Sequence, residues 1–151
     1  MIDSLPPGSI LVLGALLLPL LPARVKQAWL LTLPVLSFLH LLSMPSDLVV
    51  ALRLFDYDLT PIRIDRLALV FGTIFHLAAF LTVIFSLHVK DDVQNVAGLT
   101  YVGSAVAATF AGDLITLFVF WELTAVTSVF LIWASRNERS GIDRSVGRGR
   151  R

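Results

Sequence analysis

The chain has no cysteine in its 151 residues. That excludes a disulfide framework, a thiolate zinc site and a cysteine-ligated iron–sulfur cluster. Charge is scarce too: 15% of residues are charged, against roughly 25% in an ordinary soluble domain. Lysine occurs only at Lys26 and Lys90. Soluble catalytic patterns are missing as well: there is no Gly-rich phosphate loop, no paired His/Asp metal spacing and no Ser/His/Asp set. The sequence therefore predicts no cofactor, no metal and no independent active site.

What is present is apolar. Hydrophobic residues make up 56% of the chain, and the mean hydropathy is +0.83. Too few polar side chains remain to cover a soluble surface. A soluble globular domain, a disordered segment and a collagen-like fibre are all excluded, and the composition predicts an all-α integral membrane protein. The formal net charge of +1 hides an asymmetry. Residues 1–135 carry six Lys/Arg and nine Asp/Glu, whereas residues 136–151 carry six Arg and two acids.

A hydrocarbon core of about 30 Å needs about 20 helical residues to cross it. Five segments suggest themselves: Gly8–Leu21, Ala28–Leu42, Leu67–Leu87, Val93–Ala111 and Leu114–Ala134. Pro6-Pro7 and Pro22 bound the first, and Pro34 lies inside the second. The N-terminus does not read as a secretory signal, because Asp3 stands where a basic region belongs and no small-residue cleavage site follows. The first loop, Ala23–Gln27, has Arg24 and Lys26 and no acid, and the tail from residue 136 to 151 has six Arg. Placing both on the cytoplasmic side gives a multi-pass inner-membrane protein with its N-terminus outside and its C-terminus inside. The third loop, with Lys90, Asp91 and Asp92, then lies inside and is neutral evidence. The long second loop, Ser43–Arg66, lies outside, and Val49–Leu54 followed by Phe55–Ile64 alternates enough for a small surface hairpin. The Arg/Gly-rich tail shows no apolar periodicity. It predicts a disordered, topology-fixing segment in contact with anionic lipid heads and not with nucleic acid.

The fourth segment has Gly103, Ala107 and Ala111 at four-residue spacing, with Ser104, Ala108 and Gly112 one step on. Small residues in this pattern let helix backbones approach closely in lipid, which predicts a central position for this helix.

Glu122 is the ninth residue of Leu114–Ala134 and lies near the bilayer midplane. Its helical neighbours Phe118, Val119, Val126 and Val129 are apolar, while Thr116, Thr124, Thr127 and Ser128 fall roughly opposite. An intramembrane acid costs a few kcal/mol on insertion scales and tends to be functional. Desolvation penalises its charged form, so it can bind and release a proton, which is the chemistry of a proton relay. The structural reading is a protonated acid bonded to another helix, worth about 0.6–2 kcal/mol. His76, the tenth residue of Leu67–Leu87, falls at nearly the same depth and is the second relay candidate, so that a Glu122–His76 pair at the midplane is expected as a relay element, against a neutral histidine bonded to a carbonyl. His40 and His88 read as interfacial residues. Asp65 and Asp113 each precede a helix. They read as N-caps worth about 1 kcal/mol, with the outer mouth of a polar path as the functional alternative.

The stretch Ala111-Gly-Asp-Leu-Ile-Thr-Leu-Phe-Val-Phe-Trp-Glu-Leu-Thr, through Ser128 and Leu131-Ile132, resembles the fifth-helix signature of the antiporter-like membrane subunits. These are the proton-pumping subunits of respiratory complex I and the large subunits of Mrp-type Na+/H+ antiporters. Ile64-Asp65-Arg66-Leu67-Ala68-Leu69 resembles the Asp-containing motif that opens their third helix. The resemblance covers roughly residues 55–135 and leans toward the D-type antiporter subunit. It implies a fold of about fourteen helices with inverted repeats of five, a proton-path glutamate at Glu122 and a lysine partner on a later helix. It also implies partners among the other membrane subunits of such an assembly. The chain departs from that pattern by stopping after five helices and by having no membrane lysine. The expectation is thus an N-terminal fragment, truncated or split, of a proton-translocating subunit of an antiporter or NADH:quinone oxidoreductase-like complex. The alternative is a small structural or assembly membrane protein, or an inactive relic. In that alternative the Gly103/Ala107/Ala111 face docks a partner helix and Glu122 is a hydrogen-bond donor.

Overall fold

The computed structural model describes residues 5–89 and 91–148, with side chains up to Ala134; Asp3, Lys90 and residues 149–151 lie outside the described residues. The chain is mostly helical. The elements run α1 (Ser9–Leu17), a 3-10 turn (Leu18–Leu20), α2 (Ala23–Ser43), β1 (Val49–Leu54), β2 (Tyr57–Arg63), α3 (Arg66–Ser86), α4 (Asp92–Thr109) and α5 (Leu114–Arg148).

Three of these helices are long and apolar enough to cross a membrane: α2, α3 and the Leu114–Ala134 part of α5. The other two expected spans fall short for different reasons. Pro19 lies in the 3-10 turn that ends α1, leaving nine α-helical residues, about 14 Å at 1.5 Å per residue. Helix α4 has 18 residues but opens on Asp92, Gln94 and Asn95.

Two boundaries differ from expectation. Ala23–Gln27 is the start of α2 and not a loop, because extended Pro22 caps the helix there. Arg24 and Lys26 thus sit in its first two turns. The segment after Ala134, expected to be disordered, has helical backbone to Arg148. No proline follows Pro61 to interrupt it.

Helix α4 is the central element, with a buried face of Asn95, Ala97, Leu99, Thr100, Gly103, Ser104, Val106 and Ala107. Its Gly103 meets α1: a Cβ there would lie 2.8 Å from Val12 Cγ2, 2.9 Å from the Gly8 carbonyl oxygen and 3.0 Å from Leu11 Cβ. The small-residue face that the alternative reading offered to a partner is therefore filled, at Gly103, from within the chain.

Two apolar clusters follow. One joins Leu11, Ala15, Leu18, Leu30, Leu33, Val83 and Leu99. The other lies under the hairpin and joins Leu41, Met44, Ile62, Ile64, Ala68, Val106 and Phe110. Gly72 leaves room for Phe110, whose Cζ would sit 2.5 Å from an added Cβ.

The hairpin is antiparallel, with Val50 opposite Ile62 and Leu54 opposite Tyr57. Its register shifts between Val50 and Leu52, opposite Thr60-Pro61. A proline, which has no N–H for the ladder, is tolerated at such a bulge. The second edge of β2 is satisfied elsewhere: Arg63 N–H donates to the Phe110 carbonyl at 2.8 Å, and Gly112 N–H donates to the Thr60 carbonyl at 2.9 Å. The link between α4 and α5 thus lies along β2 like a short third strand.

Candidate functional site

Glu122 sits midway along the apolar part of α5. That helix packs on α4 along one side only, and just 6% of its apolar window is buried inside the molecule, against 33% for α2. Thr116 and Thr127 are on the buried side. Glu122 is exposed on the far side, among exposed Phe118, Val126 and Val129. The helical hydroxyls do not serve it. Thr124 donates to the Phe120 carbonyl at 2.8 Å, Thr127 to Leu123 at 2.8 Å and Ser128 to Ala125 at 2.6 Å. Among the described residues, Glu122 has neither a hydrogen bond nor an ion pair. Grooves flank this ridge. One, of about 570 Å³, includes Phe75, Tyr101, Trp121 and Ser128. The other, of about 480 Å³, includes Leu16, Thr100, Val126 and Phe130.

His76 faces another neighbour. It is 2% exposed and lies between α3 and α2. The Gly72 carbonyl, 2.7 Å from Nδ1, can only accept, so Nδ1 carries the proton. Nε2 then accepts from the Ser37 hydroxyl at 2.9 Å. The Phe38 ring packs against the imidazole with centroids 5.7 Å apart. Both nitrogens are engaged, and Glu122 is not among their partners. The structure therefore does not pair the two relay candidates.

The two aspartates are caps. Asp65 Oδ1 accepts from Ala68 N–H at 2.7 Å, closing the first turn of α3. Asp113 does the same for α5, accepting from Thr116 N–H at 2.8 Å and from the Thr116 hydroxyl at 2.7 Å. It does more: its Oδ2 also accepts from Thr60 N–H of β2 at 2.7 Å. Desolvation works against the charge on Asp113. The hydrogen bonds from Thr116, Thr60 and Ile115 outweigh it and hold the carboxyl below its ordinary value.

Sequence reasoning missed Ser37, Thr60 and the Lys26–Asp92 ion pair that ties α2 to α4. The signals were present only as an isolated serine in an apolar helix and as opposite charges in separate loops. Nothing local says that they meet. Among the described residues, no group of three or more His, Cys, Asp or Glu converges as a metal site.

Comparison with known proteins finds no matching family model, no matching curated protein and no matching solved structure.

Proposed function

We propose that this chain is a membrane subunit of a proton-translocating assembly of the antiporter-like class, and that Glu122 is the group that takes up and releases the proton. One observation carries this reading: an acid midway along an apolar helix points out of the bundle with no partner among the described residues. An ionised carboxylate facing hydrocarbon costs a few kcal/mol or more. Its partner, or the water that hydrates it, therefore comes from helices outside these five. A carboxyl at such a junction changes protonation state as the junction opens to water and closes. The resemblance around Trp121-Glu122 supports the same role. The charge asymmetry supports an N-terminus outside and a cytoplasmic C-terminus. His76 belongs in this reading to α2–α3 packing.

The non-transporting alternative shares the outward Glu122 but is weaker, because Gly103 of its docking face is occupied by α1. Glu122→Gln separates the two. Glutamine keeps a hydrogen-bonding amide but cannot exchange a proton. The assembled complex carrying Glu122→Gln should retain its composition on a native gel and lose proton-coupled transport by at least tenfold. Unchanged transport overturns the relay role.

A further inference from the structure

We propose that Asp113 is a positioning residue for Glu122, acting as a latch that locks the start of α5 to the hairpin; the consequence for proton exchange rests on the reading of Glu122 given above. Helix α5 leaves α4 through a link of four residues, Phe110 to Asp113. That link is fixed to β2 at three points: Arg63 N–H to the Phe110 carbonyl, Gly112 N–H to the Thr60 carbonyl, and Thr60 N–H to Asp113 Oδ2. The approach is as close as backbones allow, since a Cβ on Gly112 would lie 2.5 Å from Thr60 Cγ2 and 2.9 Å from the Thr60 carbonyl oxygen.

One carboxylate thus joins two jobs. It fixes which residue begins α5, through Thr116, and it fixes where that beginning sits, through Thr60. With so little of α5 buried, packing on α4 is the other main restraint on its rotation. A slip of one residue at the cap would turn every later side chain by about 100°. Glu122 would leave the outward ridge for a groove wall or the α4 side. The latch, together with packing on α4, therefore keeps the carboxyl on the outward ridge.

The test uses the full chain in lipid nanodiscs, with two readouts. Amide hydrogen exchange at Thr60, Gly112 and Thr116 reports the latch. The rate at which a bilayer-soluble carbodiimide modifies Glu122, followed by mass spectrometry, reports whether that carboxyl still faces the apolar surround. This second readout works whether or not Glu122 carries protons for transport, so its result is independent of the transport experiment. Asp113→Ala should speed exchange at the three amides at least tenfold and slow modification of Glu122 at least threefold. Gly112→Ala, which keeps the carboxylate but pushes the hairpin away, should reproduce both effects. Should Asp113→Ala unfold the chain, Thr116→Val removes a single donor and should show the same pair of changes at smaller size. Faster exchange with unchanged modification overturns the positioning role. No change in either overturns the latch itself.

Discussion

Three acids in or beside apolar helices have three different fates, and geometry separates them. Asp65 has one task, closing the first turn of α3 through Ala68 N–H. Asp113 has that task at α5 and a second one at Thr60. Among the described residues the Glu122 carboxyl has no partner, and it is exposed on an apolar face. Residue type does not separate these acids; the count of donors aimed at the carboxylate does. The bonds to Asp113 favour its charged form and hold it below its ordinary value, despite the opposing effect of desolvation. The linkage sign follows. A carboxyl depressed in the folded state contributes stability that is complete above its unfolded value and is lost as pH falls through its folded one. Protection of the Thr60 amide, corrected for intrinsic exchange, should therefore stay level from pH 7 down to the ordinary carboxylate range and collapse only below it. Loss of protection already between pH 7 and 5 would show that another group holds the amide. In Asp113→Asn the remaining carbonyl oxygen serves either Thr116 or Thr60, so protection should already be reduced at neutral pH.

Between elements, the buried polar contacts choose which helix faces meet. The pair Ser37–His76 lies at the α2–α3 interface, with the Phe38 ring packed against the imidazole. Its strength is open to a double-mutant cycle. Ser37→Ala leaves Nε2 without its donor, and His76→Leu leaves the serine without its acceptor. The two changes together should cost less than their sum, by about 1 kcal/mol in reversible unfolding from detergent, the scale of interhelical hydrogen bonds in membrane proteins. Strict additivity would mean that the contact carries no energy. This level also shows what a sequence discloses. Glu122 stood out because a charge inside an apolar run is visible without knowing its neighbours. The caps Asp65 and Asp113 were legible for the same reason: a cap is settled within three residues. The alternation of Val49–Leu54 and the segment after it pointed to the hairpin. Ser37 and His76 are 39 residues apart, and Thr60 and Asp113 are 53 apart. Helical or strand periodicity fixes which face a residue occupies, but not which element that face meets. The pairing of His76 with Glu122 was inferred from shared depth alone, and depth does not specify azimuth around the bundle.

On the scale of the whole molecule, the contacts sort into two ends. Lys26 pairs with Asp92, and Gln27 reaches the Leu87 carbonyl at 3.5 Å, so the α1–α2 and α3–α4 connections lie together. The hairpin and the α4–α5 link lie together at the other end, joined by Thr60 and Asp113. Successive helices therefore alternate in direction, including the two that fall short of the length or apolarity of a full span. Alternation places the basic start of α2 at one end and the hairpin, in which Asp56 and Asp58 balance Arg53 and Arg63, at the opposite one. If the positive-inside bias sets the orientation, the hairpin is outside. The absence of native cysteine allows single-cysteine variants without background. Phe55 at the hairpin tip is 88% exposed, and His88 between α3 and α4 is exposed as well. In intact cells an impermeant maleimide should label Phe55→Cys at once and His88→Cys only after permeabilisation. The reverse pattern would invert the orientation while keeping the alternation. Labelling of both from the same side would break the alternation itself, and would also undo the depth at which Glu122 is placed, because that depth follows from α5 beginning at the hairpin end.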